Sequence, residues 1–128
     1  MTAQTPVNAM ADRFWAGMLA LSPVWATMLG DESSADRWDD PSPAGRAAEE
    51  ALIERTLAEA GAIDGAACTV EERVTLDIVR IVCGTRRRAL ELRTWQLEGV
   101  DQLAGVQVLP GDLARIQRVD GPERVERL

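Results

Sequence analysis

The stretch Thr69–Glu98 reads TVEERVTLDIVRIVCGTRRRALELRTWQLE, and the fold turns on it. Thr69 stands where a helix would begin, and Glu72 follows three residues later. That spacing lets the threonine side chain bond the Glu72 N–H while the glutamate bonds back to the Thr69 N–H, a capping box. No proline follows until Pro110, and only Gly84 interrupts the segment. A single helix over about residues 70–97 is expected, about 40 Å long at 1.5 Å per residue. Its polar residues Arg73, Asp77, Arg80, Arg87 and Glu91 fall on one line, with Gly84 between them. Val70, Val74, Leu76, Ile78, Val79, Ile81, Val82 and Cys83 take the rest of the circumference in the first half. A helix apolar on most sides is a central one, covered by neighbours on more than one flank. The expected fold class is therefore all-α, an antiparallel helical array around this long helix. These residues carry no local chemistry that points to an activity.

On either side of this helix the chain is punctuated by serine–proline pairs. Ser22-Pro23 and Ser42-Pro43 each put a capping serine before a proline at the first helical position, where the missing N–H costs nothing. Residues 1–7 read as a tail, and Asn8 as the cap of a first helix to about Leu21, with Phe14, Trp15, Met18, Leu19 and Leu21 buried. The second helix, PVWATML, stops at Gly30, a left-handed C-terminal residue, with Trp25, Met28 and Leu29 as its apolar face. The third opens at Pro43 and buries Leu52, Ile53, Leu57 and Ala60, while Arg46, Glu49, Glu50, Glu54, Arg55 and Glu59 face water. Between the second and third helices, residues 31–42 form an acidic loop containing Trp38, which is expected to fold back as an anchor. Residues 99–121 form a glycine-rich irregular segment in which no helix longer than a turn or two is expected before Asp112. Asp120-Gly121-Pro122 then starts a final helix, where Val125 and Leu128 begin an apolar stripe. The whole chain, 1–128, reads as one helical unit.

Composition narrows the chemistry. The chain has 128 residues, 14 basic and 21 acidic, for a net charge of −7. Residues 1–64 hold 11 acids and 4 arginines; residues 65–128 hold 10 of each. Without a basic surplus in either half, neither nucleic acid nor an anionic membrane is an expected partner. There is no histidine, which removes the commonest general base and the commonest transition-metal ligand together. The acidic loop lacks the ligand spacing of a calcium-binding loop. No catalytic, cofactor-binding or metal-ligating residue is assigned: a two-carboxylate hydrolase would have to draw on Asp31, Asp36 or Asp39, and nothing fixes their separation. The run Arg86-Arg87-Arg88 spreads its side chains about 100° apart, so it does not converge on one anion; ion pairs with the acidic third helix are expected. Cys68 and Cys83 are expected as reduced thiols. No signal sequence or membrane-spanning run is visible, and a cytoplasmic protein is expected.

Several pieces, in order, resemble the N-terminal part of the bacterial family catalogued as domain of unknown function 885. They are FWAGMLALSPVWATMLGD (Phe14–Asp31), DRWDDPSPAGRAAEEALIERTLAEAGAID (Asp36–Asp64), TVEERVTLDIVR (Thr69–Arg80) and WQLEGVDQLAGVQVLP (Trp95–Pro110), followed by the helix start at Gly121-Pro122. The resemblance implies a longer, mostly helical protein that looks like a zinc metallopeptidase of the carboxypeptidase type. Its metal motif, His-Glu-x-x-x-Gly-His, would lie far toward the C-terminus, so zinc is implied only for such a parent and no cofactor for this chain. Where the family often has a histidine or an aromatic residue after Gly-Asp, this chain has Glu32-Ser33-Ser34 after Gly30-Asp31. The expected role is a non-catalytic N-terminal helical segment, a truncated piece whose helices pack beside a catalytic cleft. The alternative is a stand-alone helical interaction or oligomerisation module. Expected partners are a missing C-terminal domain or a second copy, met through the flank bearing Ile78, Val82, Ala89 and Leu92.

Overall fold

A computed structural model of the chain describes residues 4–97, 105, 107–116 and 121–122. Among them there are five α-helices and no strand, so the chain is all-α. The helices are α1 (Pro6–Leu21), α2 (Pro23–Met28), α3 (Pro43–Ala62), α4 (Val70–Leu92) and α5 (Leu109–Ile116). The expected final helix after Gly121 and its stripe of Val125 and Leu128 lie outside the described residues.

Each long helix starts where its local chemistry tells it to. The capping box at α4 is complete: Thr69 Oγ1 accepts from the Glu72 N–H at 3.2 Å, and Glu72 Oε2 accepts from the Thr69 N–H at 2.7 Å. Ser42 caps α3 by accepting from the N–H groups of Ala44 and Gly45. The first helix starts earlier than its sequence suggested. Thr5 is the cap, accepting from the Asn8 N–H at 3.3 Å, with Pro6 at the first position. This is the same cap-then-proline grammar as Ser22-Pro23 and Ser42-Pro43, three positions before the expected cap Asn8. Ser22 itself makes no side-chain cap bond; the Val24 N–H is met instead by Asp39 Oδ1 at 3.1 Å, from the far end of the acidic loop. Gly30 does take the left-handed conformation, with φ 93°.

The α4 helix ends at Leu92 and not near residue 97. Arg93 turns left-handed (φ 55°) and its N–H closes onto the carbonyls of Ala89 and Leu90, after which Thr94–Gln96 form one tight turn. An eight-residue helix, α5, lies inside the stretch expected to be irregular. Its first turn begins at Leu109-Pro110, where proline is tolerated, and its buried residue is Leu113. It rests against α2.

α1, α3 and α4 form the body. α3 runs antiparallel to α1: Arg13 pairs with Glu59 at 2.6 Å, while Gly17, further along α1, meets Leu52, earlier on α3. It also runs antiparallel to α4: Arg80 donates to the Ala60 carbonyl near the end of α3, while Arg86, further along α4, pairs with Glu49 nearer its start. α1 and α4 are therefore parallel, with α3 between them. Gly17 marks the closest α1–α3 approach: a Cβ there would lie 2.7 Å from Leu52 Cδ1. The core joins Val7, Met10, Phe14 and Met18 of α1 to Leu52, Ile53 and Ala60 of α3 and to Leu76, Val79 and Cys83 of α4. Burying each of the larger side chains contributes about 1.5–3 kcal/mol. Thr56, not Leu57, takes a fully buried place on α3, its hydroxyl satisfied by the Leu52 carbonyl at 2.8 Å.

Both neighbours meet α4 from one side. On the opposite flank Val70, Val74, Ile78, Ile81 and Leu92 are 54–67 % exposed. This bare stripe is centred further round than the expected Ile78–Val82–Ala89 line, since Ala89 is half-buried. Trp15, Trp25, Met28 and Leu29, all expected inside, are also exposed; Trp15 and Trp25 stack edge to face at 5.1 Å. The inner side of α2 is Pro23, Val24 and Ala26. Among the described residues no helix is long and apolar enough to cross a membrane.

Candidate functional site

A concavity of about 900 Å³ opens at the end of the bundle where α1 stops and α3 starts. Its walls are the end of α1, the second half of the acidic loop, the first turns of α3, and Arg86 and Trp95 from the α4 side. Trp38 does not anchor the loop in the core. It is 54 % exposed and lines this cleft, as does Trp95. The guanidinium of Arg46 lies 4.0 Å from the centroid of the Trp95 ring and also donates to the Pro41 carbonyl. A cation over an indole face contributes about 0.5–1 kcal/mol at such an exposed site. Neither Arg46 nor Trp95 stands out in the sequence: the first reads as a water-facing helix residue, the second as the tail of the long helix. Their meeting spans 49 positions and leaves no periodic signal.

The charges around the cleft are occupied with holding it together. Arg86 pairs with Glu49 at 2.8 Å and Arg37 donates to Ser34 Oγ at 3.0 Å. Asp39 caps α2. Asp40 accepts from Ser42, whose hydroxyl and N–H hold the carboxyl below the usual carboxylate range. That bond fixes a tight corner in which a Cβ on Gly45 would collide with the Asp40 carbonyl oxygen, so glycine is required there. Asp31, outside the cleft, is likewise held low by the Ser33 hydroxyl at 2.6 Å and then by the Ser33 N–H. A general acid needs a raised carboxyl pKa; Asp31 and Asp40 are shifted the other way.

The arginine run behaves as its geometry demands. Arg86 and Arg87 reach Glu49 and Glu54 on α3, while Arg88 turns to Glu91 on its own helix. Both cysteines are free thiols. Cys83 lies in the core, where burial pushes its pKa up against the opposing pull of Arg86. Among the described residues no three histidine, cysteine, aspartate or glutamate side chains gather closely enough to hold a metal ion.

The family described as bacterial protein of unknown function, DUF885, matches residues 23–128. This chain belongs to that family. The DUF885 match begins at Pro23, the first residue of α2, and runs through the cleft, α3, α4 and α5, leaving α1 outside it. Within DUF885 terms the cleft is thus made chiefly from matched residues: Trp38, Arg46, Glu49, Arg86 and Trp95 all fall in the range. No curated protein and no solved structure matches the chain.

Proposed function

We propose that this chain is a non-catalytic helical segment of a larger cytoplasmic protein, a metallopeptidase-like member of DUF885, in which it forms a wall beside the catalytic centre. The observation that carries this reading is the state of the cleft charges. Arg37, Asp39, Asp40, Glu49 and Arg86 each direct a bond to a cap, a turn or an ion pair within the bundle. A wall needs such rigidity, and an acid, base or nucleophile needs in addition a perturbed pKa and bonding capacity left for a substrate. Family membership over residues 23–128 and a sequence without histidine support the same assignment, since zinc peptidase sites draw on histidine and carboxylate ligands. The test compares the isolated chain with a longer product of the same reading frame. Calorimetric titration of the thiol-blocked chain with zinc is expected to show no stoichiometric binding, and peptide hydrolysis is expected only from the longer product. A tight one-to-one zinc complex of the isolated chain, or hydrolysis by it, overturns the proposal; so does a longer product that binds no zinc.

A further inference from the structure

The bare flank of α4 carries more than apolar side chains. Its stripe runs Val70, Val74, Ile78, Ile81 and on to Leu92, positions that share one side of a helix with 3.6 residues per turn. Along one edge of the stripe the exposed charges alternate: Arg73, Asp77, then Arg88 and Glu91. When two copies of one helix pack antiparallel across a two-fold axis, each residue faces the one equally far on the other side of the centre. With the centre at Ile81, Val70 faces Leu92 of the second copy and Ile81 faces itself. Arg73 then falls within about 3 Å, along the axis, of the level of the second copy's Glu91, and Asp77 within about 4.5 Å of Arg88. A two-fold axis perpendicular to the helices also keeps this charged edge against its own counterpart. The pattern is self-complementary: positive meets negative at both ends. In a parallel pair the two-fold axis runs along the helices and puts the two charged edges on opposite sides of the seam, so only the antiparallel pair brings these charges together.

The groups needed for this contact are accessible. The Asp77 and Arg88 side chains are 67 % and 68 % exposed, and their pairs with Arg80 and Glu91 are solvent-exposed contacts along their own helix that a second copy can exchange; Arg73 has no ion-pair partner among the described residues. Gly84 adds room at the same edge, since nothing lies within 4 Å of where its Cβ would be. A glycine inside a helix costs about 0.5–1 kcal/mol relative to alanine, and no contact within the described chain calls for one at this position.

We propose that the outer face of α4 is the seam of an antiparallel homodimer, centred on Ile81, with Arg73–Glu91 and Asp77–Arg88 pairs closing its edge. The proposal goes beyond the wall reading above and stands without it. One helix face puts the contact at the low end of interface sizes, where assemblies are transient, so the measurement belongs at high micromolar concentration.

The experiment has two arms. In sedimentation velocity the wild-type chain shifts from monomer to dimer as concentration rises. Ile81→Glu, which sets two carboxylates against each other on the axis, stays monomeric with unchanged helical circular dichroism. In the second arm Ile81→Cys and Val70→Cys are oxidised separately. Antiparallel pairing cross-links Ile81→Cys into a covalent dimer and leaves Val70→Cys unlinked, because Val70 is a helix length from its own counterpart. Cross-linking of both variants indicates a parallel pair or random collision and overturns the proposal. A wild-type chain that stays monomeric overturns it, and so does α4 protection from hydrogen exchange that arises only when a different segment of a larger protein is added.

Discussion

Leu76 and Ile81 sit five residues apart on the same helix, and one is 1 % exposed while the other is 67 % exposed. The two faces of α4 are built from the same kinds of residue. Leu76, Val79 and Cys83 line the inner face, and Val74, Ile78 and Ile81 the outer. Nothing in the hydrophobicity of either set distinguishes them. The difference comes from supply: α1 and α3 are the two long helices packed on α4, and both pack on one side. An apolar surface states that it needs covering and leaves open what covers it.

The largest effect should come from attacking the inner face. Leu76→Ala removes a fully buried side chain at the junction of three helices, and a loss of about 2–5 kcal/mol is expected in urea melts. If the melt shifts by less than about 1 kcal/mol, α4 is less firmly docked than its burial says.

A middle-sized effect is expected at the helix start, which belongs to neither face. Thr69→Ala loses the cap on the Glu72 N–H and should cost about 1 kcal/mol. Acid sharpens the result. The folded-state pKa of Glu72 is lowered, first by the Thr69 N–H and then by the Thr5 hydroxyl. A lowered carboxyl stabilises the fold above its ordinary value, near 4.5, and that contribution is lost as pH falls through the depressed one. Glu72→Gln should therefore flatten the acid limb of stability against pH. Coincident limbs for the two proteins would mean that the Glu72 bonds are not kept in solution.

The smallest effect should come from the outer face. Ile78→Ser, measured in dilute solution where no dimer forms, is expected to change stability by no more than about 0.5 kcal/mol. A loss approaching that of Leu76→Ala would erase the distinction between the faces and place a covering element on α4 even in the monomer.

How much of this could be read from the chain depends on the range of the interaction. The capping box at Thr69 and Glu72, the Ser42-Pro43 start and the left-handed Gly30 are decided within four residues, and each is legible. The end of α4 is not, because the residue that turns it is Arg93, a side chain that rarely takes φ 55°, with no glycine or proline as a marker. The tryptophans mislead for another reason. Trp15, Trp25 and Trp38 carry large apolar surface, yet this bundle is too thin to enclose them, and two settle for stacking on each other. The cleft was invisible altogether: Arg46 over Trp95, and Asp39 on the Val24 N–H, join positions with no repeating pattern between them. What was legible at the site was its lack of histidine; the bonds that hold Asp39 to the Val24 N–H and Asp40 to Ser42 were not.

The nearness of the Thr5 hydroxyl to Glu72 has one more consequence. α1 and α4 run parallel, so their first turns bring the positive ends of two helix dipoles side by side, each equivalent to roughly half an elementary charge. Glu72 sets a single negative charge against that pair: it accepts from the Thr69 N–H at the start of α4, and the Thr5 hydroxyl at the start of α1 also draws its pKa down. One carboxylate thus serves as a shared electrostatic clasp. Because its two partners lie more than sixty positions apart in the chain, the clasp closes only when the first residues made and the middle of the chain are already in register. The start of α4 is local in sequence, but its full stabilisation is a property of the assembled bundle.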